Sequence, residues 1–249
     1  MKEYKYKMLI SYDGTNYSGW QVQKNNSTIQ GSIENILSKI LRKNIKIIAA
    51  GRTDAKVHAL EQVAHFSYNK KLDLKKVLFS LNSLISNDIR IKQIIEVDSN
   101  FHARFSAKSK IYRYHIFFKD IQDPFSRMYS YKPDFKFEID LLKKASLYFL
   151  GTHNFSSFAN KQYTGSALNN PIKTIKRIDI KKKKNEIILE FEADGFLYKM
   201  VRNIVGTLLD VANGKTPLDN VEKIIKAKDR KKASKPAEPQ GLFLVKVIY

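Results

Sequence analysis

Apolar residues recur along this chain with two periods, and the order in which those periods alternate predicts how it folds. Tyr4, Tyr6, Met8 and Ile10 alternate with polar positions as a strand does. Ile33, Ile36, Leu37, Ile40 and Leu41 then follow the i, i+3, i+4, i+7, i+8 spacing of an amphipathic helix. A strand over 45–50, a polar loop over 51–59, a strand over 62–68, a helix over 74–84 and a strand over 89–97 complete the first half. Strand, helix, strand, strand, helix, strand is the order of the split βαβ, or ferredoxin-like, unit.

The second half repeats this order. It offers a strand over 111–118, a helix over 141–150, and strands over 172–180 and 187–191 joined through Lys181, Lys182, Lys183, Lys184 and Asn185. A helix follows with Phe196, Met200, Ile204, Leu208 and Val211 on one face. Thr216-Pro217-Leu218-Asp219 reads as a capping box with proline at the first position of a further helix, and a strand over 242–248 ends the chain. The expected fold is therefore α+β. Two pseudo-symmetric ferredoxin-like units, 1–105 and 106–249, would form one mixed, mainly antiparallel sheet with helices on one face and a basic cleft. No Gly/Ser linker separates the halves, so they are expected to pack together.

Charge adds a partner to this picture. The 249 residues carry 45 Lys+Arg against 24 Asp+Glu, a formal net charge of +21, and a polyanion is the natural complement, with nucleic acid ahead of an anionic membrane. No apolar run approaches the roughly 18 residues of a membrane span, and the first residues lead into a strand pattern without a signal-peptide apolar stretch. A soluble, cytoplasmic protein is expected. Only 9 of the 45 basic residues are arginine, and Arg52, Arg104, Arg113 and Arg202 fall within distinctive polar and aromatic segments. A planar guanidinium suits phosphate and base edges better than an ammonium does.

Candidate chemistry narrows by elimination. With no cysteine, thiolate zinc sites and iron–sulfur clusters are excluded, and the five histidines are scattered. His58 and His65 read as a loop residue and a strand residue, not as a metal pair. No metal is expected. Walker A, GxGxxG, HExxH and GxSxG motifs are absent. What remains is Asp54, two residues after Arg52 in a polar loop between apolar runs, where a neighbouring arginine would keep a carboxylate ionised and oriented. From pattern alone an aspartate in a glycine-containing turn more readily bonds its own backbone. Tyr112 and Tyr114 share one face of a predicted strand with Arg113 on the other. A tyrosine face can stack an unpaired base, although in a chain with 13 Tyr and 15 Phe ordinary core packing accounts for it better. Lys199 and Arg202, three apart, read either as a solvated helix face or as cations presented to phosphate.

Taken together, these segments resemble a known family. Tyr12-Asp13-Gly14-Thr15, Gly19-Trp20-Gln21, GRTDAKVHAL at 51–60, Asn87-Asp88-Ile89, FHARFSA at 101–107, Tyr112-Arg113-Tyr114, GTHNFSSF at 151–158, MVRNIVG at 200–206 and GLFL at 241–244 occur in the order found in the tRNA pseudouridine synthase A family. The resemblance runs from about residue 8 to the C-terminus. It implies isomerisation of uridine to pseudouridine in the anticodon stem-loop of tRNA, typically at positions 38, 39 and 40, by a homodimer without metal or organic cofactor.

The same resemblance assigns roles. Asp54 would act on C1′ as nucleophile, or as base on the 2′ proton. Arg52 would fill the space left by the flipped uridine. Tyr112 would stack on the target base and is a candidate for proton transfer at C5, and Arg202 would pair with Asp54. Thr53, His58, Arg104, Arg113 and Lys199 complete the expected substrate-binding set. A non-catalytic tRNA- or rRNA-binding module is the alternative reading, and a nuclease is disfavoured because no carboxylate cluster for metal ions is recognisable. The family usually has glycine where this chain has Lys56, and often again where it has Glu61. A positive φ at position 56 would disfavour lysine by roughly 1 kcal/mol.

Overall fold

The computed structural model describes residues 3–160 and 170–249. Its elements, in chain order, are β1 (Tyr4–Tyr12), α1 (Ile29–Leu41), β2 (Ile48–Ala49), β3 (His58–Tyr68), α2 (Leu74–Leu84), β4 (Ile89–Val97), β5 (Ser109–Phe117), α3 (Ile139–Leu147), β6 (Gly151–Asn154), β7 (Ile172–Lys183), β8 (Glu186–Ala193), α4 (Met200–Ala212), α5 (Asn220–Ala227) and β9 (Leu242–Ile248). The fold is α+β with mainly antiparallel pairing, as the periodicity predicts. Two compact units divide the chain, Met1–Lys108 with Phe243–Tyr249, and Ser109–Leu242.

In the first unit the strands run β4-β1-β3, and β2 also pairs with β3. β1 is antiparallel to β3 and β4, and β3 is antiparallel to β2, so β3 lies between the two strands joined through α1. That is the split βαβ arrangement. β1 turns Tyr6, Met8, Ile10 and Tyr12 into the core at alternate positions, as the period-2 pattern requires. α1 starts four residues ahead of its apolar pattern because Thr28 caps it, accepting the Gly31 N–H at 3.3 Å, which brings Ile29 into the core beside Ile33 and Leu37. Asp73 caps α2 in the same way.

The strand expected over 45–50 shrinks to Ile48–Ala49. The cause lies on α1, where the buried Glu34 carboxylate accepts the Ile47 N–H at 2.9 Å, and Ser38 Oγ accepts the Ile45 N–H at 2.9 Å. Side chains thus take the donors a strand ladder would have used. The final strand pairs in parallel with β3, His58 opposite Phe243 and Ala59 opposite Leu244.

His65, buried on β3, accepts the Ala103 N–H at Nδ1 (3.1 Å) and fixes the 101–106 turn. Burial, reinforced by His102 and Lys5 nearby, lowers its pKa to about 4. Because the unfolded chain takes up this proton near the ordinary histidine value of about 6.5, it binds more protons than the native state between those two pH values. Stability is therefore expected to fall as pH drops from about 6.5 towards 4, and to be fully present above that window. Urea titrations of wild type and His65→Asn at stepped pH check this, with a flatter pH dependence expected for the variant.

The second unit orders its strands β5-β8-β7-β6, all antiparallel. Its β5-β8-β7 succession matches β1-β3-β2 of the first unit. β6, which the period did not reveal, extends the edge beyond β7. α3 packs on α4 and on β7. Three expectations are corrected here. α4 begins at Met200, not at Phe196, because Lys199 adopts a left-handed φ of 61°. It is also buried nearly all round, so Arg202 lies inside and not on a solvated face. The capping box at Thr216 does not form; Pro217 and Leu218 make a turn, and α5 begins at Asn220 without a side-chain cap.

Candidate active site

The Asp54 loop is held from below by the segment that follows β1. Thr53 is its anchor, with its hydroxyl 2.8 Å from the Tyr12 hydroxyl and its carbonyl accepting the Trp20 N–H at 3.0 Å. Burial pushes the Tyr12 phenol up to about 12, against the opposing effect of its bonds to Thr53 and Gln62, so it remains a neutral hydrogen-bonding partner at neutral pH. Gln62 adds a bond from Nε2 to the Gly51 carbonyl at 2.9 Å. Gly19, at φ 92°, lies so close that a Cβ there would stand 2.7 Å from the Thr53 oxygen and 3.0 Å from the Asp54 carbonyl carbon. Only glycine allows this approach.

Beyond Thr53 the chain turns sharply. The Val57 N–H bonds the Asp54 carbonyl at 3.2 Å, and the Lys56 N–H bonds Tyr17 O at 3.3 Å. Lys56 has φ 64° while Ala55 does not share the positive φ, which marks a type II turn with lysine where glycine is favoured. The turn presents Asp54 partly exposed and Arg52 exposed, while Thr53, Val57 and His58 are buried.

His58 opens β3 and is almost wholly enclosed. Its ring stacks on Phe243 at 4.6 Å, and Nδ1 lies 3.2 Å from the Gly14 nitrogen and 3.1 Å from Asp13 Oδ1. It ties the 13–15 turn to β3. Arg104 stands elsewhere in this unit, in the turn bonded to His65, which is seven residues or roughly 20 Å further along β3 than His58. The Arg104 guanidinium lies over the exposed Phe105 ring at 5.6 Å.

The second unit carries the other expected residues. Tyr112, on β5 opposite Phe191, is buried and meets Phe196 edge-on at 5.0 Å. That contact links the β8–α4 connection, and so the first turn of α4, to β5. Arg113 points to the opposite face and donates through Nε and Nη2 to Glu190, which also accepts from Arg177. These bonds pull the Glu190 pKa down against its burial. The Lys199 ammonium lies over the Tyr198 ring at 5.3 Å.

Arg202 sits in α4 and donates from Nε to the Ala237 carbonyl at 2.7 Å, while the Ala237 N–H returns a bond to the Arg202 carbonyl at 2.9 Å. Next to it Tyr114, fully buried, donates to the Glu238 carbonyl at 2.6 Å. Residues 234–238 thus form a strap across α4 and β5. No side-chain pattern signals it, because its grip is made by backbone carbonyls within a stretch rich in lysine and proline. Among the described residues no group of three or more His, Asp or Glu side chains is placed to hold a metal ion.

A family profile described as tRNA pseudouridine synthase matches residues 8–106 and 145–249. The chain belongs to the tRNA pseudouridine synthase family. It is 49% identical over 245 residues to tRNA pseudouridine synthase A 1 of Protochlamydia amoebophila, covering 98% of this chain and 96% of that protein. Against tRNA pseudouridine synthase A of Thermoanaerobacter sp. the identity is 44% over 242 residues, covering 97% and 98%, and against that of Exiguobacterium sp. it is 41% over 243 residues, covering 98% and 97%. Asp54 and Arg202 fall within the segments matched to the synthase family profile, whereas Tyr112 and Arg113 fall between them.

Proposed function

We propose that this protein is a tRNA pseudouridine synthase that isomerises uridine in the anticodon stem-loop, at positions 38, 39 and 40, with Asp54 as the reaction centre. The observation that carries this reading is the likeness to synthases across almost the full length of both partners. The reaction breaks the N1–C1′ bond, turns the uracil, joins C5 to C1′, transfers the C5 proton to solvent and returns a proton to N1. Atoms balance without a cosubstrate, and no cofactor is invoked.

The anchored loop supports the role of Asp54. Its neighbour Thr53 is bonded through both hydroxyl and carbonyl, so the carboxylate projects from a backbone that cannot drift. It acts either as nucleophile on C1′ or as base on the 2′ proton. Arg52, exposed on the same loop, is assigned to the gap left by the flipped uridine, whose extrusion costs a few kcal/mol. Tyr112 is assigned to the target base, and Arg202 to the Asp54 carboxylate. The lysine excess supplies the sequence-independent hold on phosphates, so affinity should fall steeply with salt. A homodimer in the cytoplasm completes the proposal.

Tritium at uracil C5 of a tRNA transcript tests the reaction itself. Release of the label to water with the RNA left at full length is expected. Retained label with bound tRNA would leave a non-catalytic RNA-binding module, and magnesium-dependent shortening of the RNA would indicate a nuclease.

A further inference from the structure

Lys56 is the third residue of the turn that presents Asp54, and its φ of 64° is one that L side chains rarely adopt. Glycine would occupy this position without strain. The side chain is exposed, and its ammonium makes no ion pair or hydrogen bond among the described residues. The N–H is bonded to Tyr17 and the turn is closed by Val57, both through the backbone, bonds that glycine would make equally, so nothing in the fold calls for a lysine side chain here. Backbone strain that persists beside a reaction centre points to function.

Position decides which function. Lys56 lies two residues from Asp54, so their Cα atoms are at most about 7 Å apart. A four-carbon stem gives the ammonium the reach to meet a phosphate that flanks a nucleotide seated on Asp54. We infer that Lys56 is a substrate-positioning residue that binds an RNA backbone phosphate flanking the target uridine. The inference rests on the proposed synthase activity and deepens it, since a hold on the flanking phosphate adds to the binding of the nucleotide on which Asp54 acts.

The test uses full-length protein with an unmodified tRNA transcript, and compares wild type with Lys56→Met, Lys56→Arg and Lys56→Gly. Met keeps the strained turn and the stem but removes the charge. It is expected to raise KM by roughly fivefold at unchanged kcat, and to make the slope of log affinity against log salt shallower by about 0.7–0.9, the value of one phosphate contact. Arg should restore the wild-type slope. Gly should match Met in binding while raising Tm by about 2–4 °C, because the strain is gone. A Lys56→Met protein with wild-type KM and salt slope would overturn the inference, as would a Lys56→Gly protein that loses kcat while Lys56→Met does not. If wild type itself neither binds nor modifies tRNA, it is the synthase reading that fails, which the wild-type arm shows separately.

Discussion

Asp54→Asn is expected to bind tRNA with wild-type affinity and to form pseudouridine about 10²–10⁴-fold more slowly, or not at all. The substitution keeps the size of the side chain and the backbone of the turn, whose Asp54 carbonyl accepts the Val57 N–H. Thr53, Tyr12 and Trp20 hold the loop from positions the substitution does not touch. The carboxylate charge and its nucleophilic oxygen are lost. Filter binding and product analysis on the same preparation separate the two effects. Wild-type rates in the variant would remove Asp54 from the chemistry.

Gly206→Ala should be the most damaging single methyl group in the second unit. A Cβ on this residue of α4 would overlap the Lys235 carbonyl oxygen, and the next nearest atoms, the Lys235 carbon and the Ala237 nitrogen, are also backbone. No side chain can swing away. The strap must lift or the helix must shift, at a cost of about 1–3 kcal/mol and a Tm lower by roughly 3–10 °C. The same strap holds Arg202 through both bonds to Ala237, so kcat should fall as well, with tRNA binding largely retained. Gly195→Ala is the control, since its Cβ would meet only Lys173 methylenes at 3.5 Å or more, and a change within about 0.5 kcal/mol is expected. Thermal unfolding of the two variants side by side decides it.

Local pattern made much of the first unit legible. The helix over 74–84 and the strand over 89–97 fall where their periods place them, because each has one buried face and follows a plain turn. Pattern misled where a side chain competed with the ladder, as Glu34 and Ser38 do for the 45–47 donors. It misled again where a single backbone conformation set a boundary, as the left-handed Lys199 does for α4. Of the candidate site, Asp54 and Arg52 could be singled out as a loop pair, while their catalytic reading needed the family resemblance. Thr53 and His58 appeared as contacts in sequence, and both side chains are buried in the frame beneath the loop. The strap over Arg202 left no trace in side-chain chemistry. The Lys56 conformation, by contrast, was already posed as a question by the glycine usual in the family at this position, and a φ of 64° answers it.

Carbodiimide mapping of pseudouridine in an unmodified tRNA transcript treated with the wild-type protein tests the central claim most directly. New carbodiimide-dependent stops of reverse transcription in the anticodon stem-loop, at positions 38 to 40, are the predicted result. A transcript that is bound by the protein yet shows no such stop at any uridine would contradict the account.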